Sequence, residues 1–70
     1  MYLVYSWHAK RRMKQRGITE LDIDYILKYP IMIRNSIDNK KIAIGEIRNK
    51  NIKVVFIYKE DNINIITIRY

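Results

Sequence analysis

The chain has 70 residues, enough for one domain, spanning residues 1–70, with a single small core. It has no cysteine and one histidine, which excludes a disulfide framework, thiolate zinc sites and multi-histidine metal centres. No acidic pattern suggests a carboxylate site either, so neither a metal nor a cofactor is expected. Its 14 basic and 7 acidic residues give a formal charge of +7 and a pI near 9.9, the balance of a polyanion binder.

The chain opens with "YLVY" (2–5), apolar and β-prone, which reads as a short first strand or an extended lead-in. Ser6 is placed to cap a helix over the next ten residues, and Gly17 suits the left-handed position that ends one. Thr19 then caps a second helix, with Asp22 as the acid of a capping box and Ile23, Ile26 and Leu27 as the apolar stripe. Pro30 stops it. Beyond Pro30 the period becomes extended, over 31–37, 41–47, 52–59 and 63–70, with turn-like breaks "DNK", "RNKN" and "EDN". Breaks this short favour hairpins. The expected fold is α+β: two N-terminal helices on one face of a four-stranded antiparallel meander, with "VVFIY" (54–58) central and covered on both faces. No window reaches transmembrane length, and "MYLVYSW" lacks the basic-then-apolar order of a signal peptide. A cytoplasmic protein without membrane contact is expected.

The charge is uneven. Residues 1–18 carry Lys10, Arg11, Arg12, Lys14 and Arg16 and no acid, residues 19–29 a net −2, and residues 30–70 a net +4. On a helical wheel Ala9 and Met13 turn toward the sheet, whereas Trp7, Lys10, Arg11 and Lys14 point away. His8 and Arg12, four apart, are neighbours at the margin of the apolar stripe, and Gln15 and Arg16 continue that margin. Histidine is suited to moving protons near neutrality, and an adjacent arginine can hold a phosphate through two donors. The pair therefore fits phosphoryl chemistry without a metal. The competing reading is a structural histidine bonded to a backbone carbonyl. Trp7 is expected to pack on "YLVY", with stacking on a base as the alternative. The six tyrosines read as sheet packing and rim residues.

The stretch "HAKRRMKQRGITELDIDYILKYP" resembles a small family of bacterial and archaeal domains of unknown function. Their recurring pattern is HAxxRMxxRGI followed by an acidic amphipathic helix ending near proline. Here it reads His8, Ala9, Arg12, Met13, Arg16, Gly17 and Ile18. The remainder is similar to the BrnT toxins, through "AIGEI" (43–47), "VVFIY" (54–58) and "IITIR" (65–69), and so to the wider RelE/ParE-like toxins and ribonucleases. The resemblance implies a RelE-like domain, metal-independent RNA cleavage and an antitoxin partner. In such enzymes an essential Tyr or His often stands near the C-terminus beside basic residues on the sheet, which points to Arg69 and Tyr70.

The resulting expectation is a small toxin-type endoribonuclease with RNA between the first helix and the open face of the sheet. The RNA 2′-hydroxyl attacks the adjacent phosphorus to give a 2′,3′-cyclic phosphate. His8 is the acid–base group, Arg12 with Arg48 or Arg69 stabilises the transition-state charge, and Tyr70 is a second proton donor. Lys10, Arg11, Lys14, Arg16 and Arg48 contact RNA, with association to the ribosome left open. The open sheet edges call for a homodimer or an antitoxin segment. The alternative is a non-catalytic nucleic-acid- or protein-binding module on the same fold.

Overall fold

A computed structural model describes residues 2–69. The elements follow as β1 (Tyr2–Tyr5), α1 (Trp7–Arg16), α2 (Glu20–Lys28), β2 (Met32–Asn35), β3 (Lys41–Ile47), β4 (Lys50–Lys59) and β5 (Asn62–Arg69). They form one five-stranded mixed sheet in the order β1-β5-β4-β3-β2, with both helices packed against it. The antiparallel meander over β2 to β5 is present. The four-stranded count needs correction, because β1 is a true strand that pairs in parallel with β5, Tyr2 beside Asn62 through Tyr5 beside Ile65. A parallel partner so distant in sequence leaves no hairpin signal to read.

Local chemistry explains the elements. Both central residues of the β3–β4 connection, Arg48 (φ 49°) and Asn49 (φ 67°), are left-handed, and Ile47 pairs with Lys50. This is the two-residue hairpin geometry whose twist matches the strands, so β4 starts two residues before its expected position. Between β2 and β3, Asp38 (φ 57°) and Asn39 (φ 63°) form a similar turn, closed by Lys40 N–H to the Ile37 carbonyl at 3.1 Å. That turn shortens β2 to four residues. Thr19 and Asp22 make the expected capping box, with Thr19 N–H to Oδ2 at 2.9 Å and Asp22 N–H to Oγ1 at 3.1 Å.

The ends of α1 are fixed most firmly. The Ser6 hydroxyl accepts from Ala9 N–H at 2.9 Å and donates to the Ile66 carbonyl at 2.7 Å, while Ser6 N–H reaches the Ile65 carbonyl at 3.0 Å. Ile66 is the extra residue of a β-bulge, since the register passes from Val55 beside Thr67 to Phe56 beside Ile65. At the other end Gly17 is left-handed (φ 69°), Ile18 N–H bonds to the Met13 carbonyl at 2.9 Å, and Gly17 N–H to that of Lys14 at 3.4 Å. This is a Schellman cap, and its apolar pair, Met13 with Ile18, is buried.

The core lies on the helix side only. Ala9 and Met13 of α1 and Ile23 and Ile26 of α2 meet Ala43, Ile47, Ile52, Val54, Phe56, Ile65 and Ile68. On the other face, Ile42, Ile44, Val55 and Ile57 have no layer above them, which corrects the expectation that the central strand is covered on both sides. Val55 is nonetheless only 5% exposed, because it lies mid-sheet among its strand neighbours. Gly45 sets the depth at which α2 seats on β3. A Cβ there would lie 2.9 Å from both Ile26 Cγ1 and Cγ2. Gly45→Ala should therefore cost about 1–3 kcal/mol, the usual penalty of overpacking a core contact. Urea denaturation of the variant measures it, and an unchanged midpoint would show that α2 lifts freely.

Candidate nucleic-acid interface

Helix α1 buries only two residues, Ala9 and Met13, through which it rests on β5. The rest of its surface carries its charge. Lys10, Arg11, Lys14 and Arg16 are exposed, and no acid stands on the helix. The expected packing of Trp7 on the first strand does not occur. Its ring is 73% exposed, and the Arg11 guanidinium lies over it at 5.4 Å from the centroid. A stacked Arg–Trp pair in solvent presents an aromatic face and a planar cation together, the groups on which unpaired bases stack.

His8 is exposed, one turn before Arg12 on the same side of the helix. Arg12 is half-buried, and its Nε is sealed from solvent without a hydrogen-bond partner among the described residues. A guanidinium N–H in that position carries a desolvation cost.

The other residues singled out from the sequence stand elsewhere. Arg48 reaches from the β3–β4 turn to α2, its two terminal nitrogens bonding Asp22 at 3.2 and 2.8 Å, and one of them also the Gly17 carbonyl at 3.0 Å. Those bonds place it as a brace joining the C-terminal end of α1, the N-terminal end of α2 and a hairpin. Arg69 follows the buried Ile68, so its side chain belongs to the helix-free face, opposite α1. There it pairs in register with Lys53, a basic residue that the sequence reading passed over. Like charges directly opposed on neighbouring strands are unfavourable without an anion. Only the strand register reveals this pair, since the two residues are sixteen apart in sequence. Tyr70 lies outside the described residues. The helix-free face also holds a cleft of about 480 Å³ whose lining includes Val4, Ile57 and Ile66 together with Asp38, Lys40 and Lys59.

Among the described residues three ionisable groups are displaced from their ordinary behaviour, Tyr5, Asp22 and Arg48, the last raised by its hydrogen bonds to Asp22. Burial, aided by the carboxylates of Glu20 and Asp24, pushes the Tyr5 phenol up to about 12, so it stays protonated at physiological pH. The Arg48 hydrogen bonds, with those from Thr19, hold Asp22 below its usual 3.8. Among the described residues no cluster of three or more His, Cys, Asp or Glu is placed to hold a metal, and no helix is long and apolar enough to cross a membrane.

Fold and surface together define a small basic α+β domain that displays a cationic helix against a single sheet. The chain belongs to the family DUF4258, a domain of unknown function, whose model matches residues 5–69. No curated protein and no solved structure matches it significantly.

The brace has a definite pH signature. Asp22 is more acidic when folded than unfolded, so its stabilisation is complete above the ordinary carboxylate range and is lost as pH falls through the lowered folded value. Asp22→Asn should melt below the wild type at pH 7, and the gap should close as the pH drops below about 3.8. A gap that persists unchanged in acid would mean that the carboxylate charge contributes nothing.

Proposed function

We propose that this domain is an RNA-directed endoribonuclease of the BrnT and RelE toxin type, working without a metal, with α1 as its RNA-contacting element. The observation that carries the reading is a helix with five basic residues and no acid, on which the half-buried Arg12, its Nε without a partner among the described residues, lies one turn from the exposed His8. Lys10, Arg11, Lys14 and Arg16 follow the phosphate backbone, and Trp7 with Arg11 offers a stacking platform. Arg12 holds the scissile phosphate. His8 takes the 2′-hydroxyl proton while the 2′-oxygen bonds to phosphorus. The bond to the 5′-oxygen breaks, and that oxygen leaves with a proton from a second donor, the role proposed for Tyr70. The products are a 2′,3′-cyclic phosphate and a 5′-hydroxyl. Arg69 and Lys53, on the other face, contact a more distant phosphate, and Arg48 remains a brace. A cytoplasmic location, action at the ribosome and restraint by an antitoxin belong to the same reading.

A second reading, a non-catalytic RNA-binding module, is favoured by one observation. His8 is exposed, rather than set in the sheltered rim position that would tune it for proton transfer. The two readings separate cleanly. End-labelled RNA incubated with purified protein in EDTA should yield cyclic-phosphate ends. His8→Gln should slow cleavage by about 10²–10⁴-fold without lowering the melting temperature. Full activity in a folded His8→Gln protein removes the catalytic assignment, and binding without cleavage leaves the module.

Binding itself has a salt signature. If Lys10, Arg11, Arg12 and Lys14 each neutralise one phosphate, log affinity should fall against log salt with a slope of about −3 for single-stranded RNA. Lys14→Gln should make that slope shallower by about 0.7. A flat dependence measured by fluorescence anisotropy would remove the nucleic-acid reading altogether.

A further inference from the structure

The side of the molecule farthest from α1 has a different character. β2 is an edge strand, and all four of its residues are exposed. Edge strands are ordinarily blunted by charged side chains, lysine above all, by proline or by a bulge, and β2 carries a single charge, Arg34. β2 holds no proline and no lysine, and its register with β3 runs unbroken from Met32 beside Ile44 to Asn35 beside Lys41. Around it stand Tyr29, Ile31, Met32, Ile33 and Ile37, each at least half exposed. Tyr25 on α2 and Tyr29, which caps the end of that helix, are in ring contact, with centroids 5.3 Å apart. Ile33 lies on the helix side of the sheet yet stays uncovered, because α2 seats on β3 and stops short of the edge. Among residues 29–37 Arg34 is the only charge, in a chain that is 30% charged.

We propose that the β2 edge is a homodimer interface, in which β2 of a second copy pairs antiparallel to extend one sheet across both chains. The charge distribution selects this occupant. An acidic partner would find little to pair with along 29–37, whereas a second copy needs only backbone hydrogen bonds and apolar contacts, which this segment supplies. Pairing centred on Ile33 sets each Arg34 opposite Met32 of the second copy, so no like charges face each other. It also answers the repulsion between two chains of charge +7. α1 rests on β5, three strands in from β2, so seven strand spacings separate the two basic helices. At ~4.8 Å per spacing they stand about 34 Å apart, several times the ~8 Å screening length of physiological salt. Each α1 keeps its outer surface free. This interface does not depend on what α1 binds.

Sedimentation equilibrium of the purified chain, from low micromolar to several hundred micromolar, tests the proposal. The expected species has twice the 8.5 kDa chain mass. Ile33→Lys places a charge at the centre of the pairing and should weaken association by about thirtyfold or more, as loss of a central anchor does. Tyr25→Glu changes an exposed helix position outside the strand and should weaken it while the melting curve of the monomer stays cooperative. A wild type that remains at 8.5 kDa throughout overturns the proposal, even if another protein is found on the edge. A dimer that both folded variants leave intact also overturns it, because the contact then lies on another face.

Discussion

The Ser6 hydroxyl fixes the place from which the functional surface is built. It accepts from Ala9 to start α1 and donates to the Ile66 carbonyl, while the Ser6 backbone bonds the Ile65 carbonyl. One residue thus ends β1, begins α1 and holds both on the bulge of β5. A bulge leaves backbone groups outside the ladder, and here a side chain takes up the carbonyl that would otherwise lack a partner. Everything on α1 inherits its direction from that joint. The rise from Ser6 to Gly17 then brings the Schellman cap within reach of Arg48, which bonds the Gly17 carbonyl and Asp22 together. The helix is pinned at both ends by hydrogen bonds rather than by burial along its length.

That arrangement suits a helix with little else in its favour. α1 buries two side chains, has no acid in its first turn, and sets Lys10 and Lys14 four residues apart. Like charges at that spacing destabilise a helix by about 0.2–0.5 kcal/mol, and the partly buried Arg12 adds a donor with no partner among the described residues. Lys14 and Arg16 in the last turn recover a little through the helix dipole. A sequence selected for stability alone would interleave carboxylates here, as α2 does with the Asp24–Lys28 pair at 3.4 Å. The contrast sets a uniformly cationic α1 beside an α2 whose charges are paired, and it is the ground for the RNA-binding role proposed for α1.

The sheet divides the remaining roles. One face is filled by the helices, with Gly45 letting Ile26 reach the strand backbone. The other face keeps its apolar centre and carries Lys53 and Arg69 in register. The two edge strands are β1, which pairs with β5 up to Ile65, and β2, whose four residues are all exposed. Cationic surface and apolar edge are therefore kept at opposite sides of a chain only 70 residues long.

The sequence determined what depends on neighbours within a few residues. The Ser6, Gly17, Thr19 and Asp22 caps, the stop at Pro30, the meander of four strands and the cationic face of α1 all follow from short-range spacing, and all are present. Tertiary structure decided whatever depends on residues far apart. β1 joins β5 in parallel across some sixty residues, which no local pattern encodes. Arg48, read from the sequence as a phosphate contact, is also a brace, because folding brings it to Asp22, twenty-six residues away. Lys53 gained significance only when register set it beside Arg69. The helical wheel already turned Trp7 away from the sheet, but only the folded structure shows that it leaves the first strand and lies under Arg11 instead. A side chain's type and period fix the face it takes on its own element. What that face meets is fixed by packing, where competing long-range contacts are settled together.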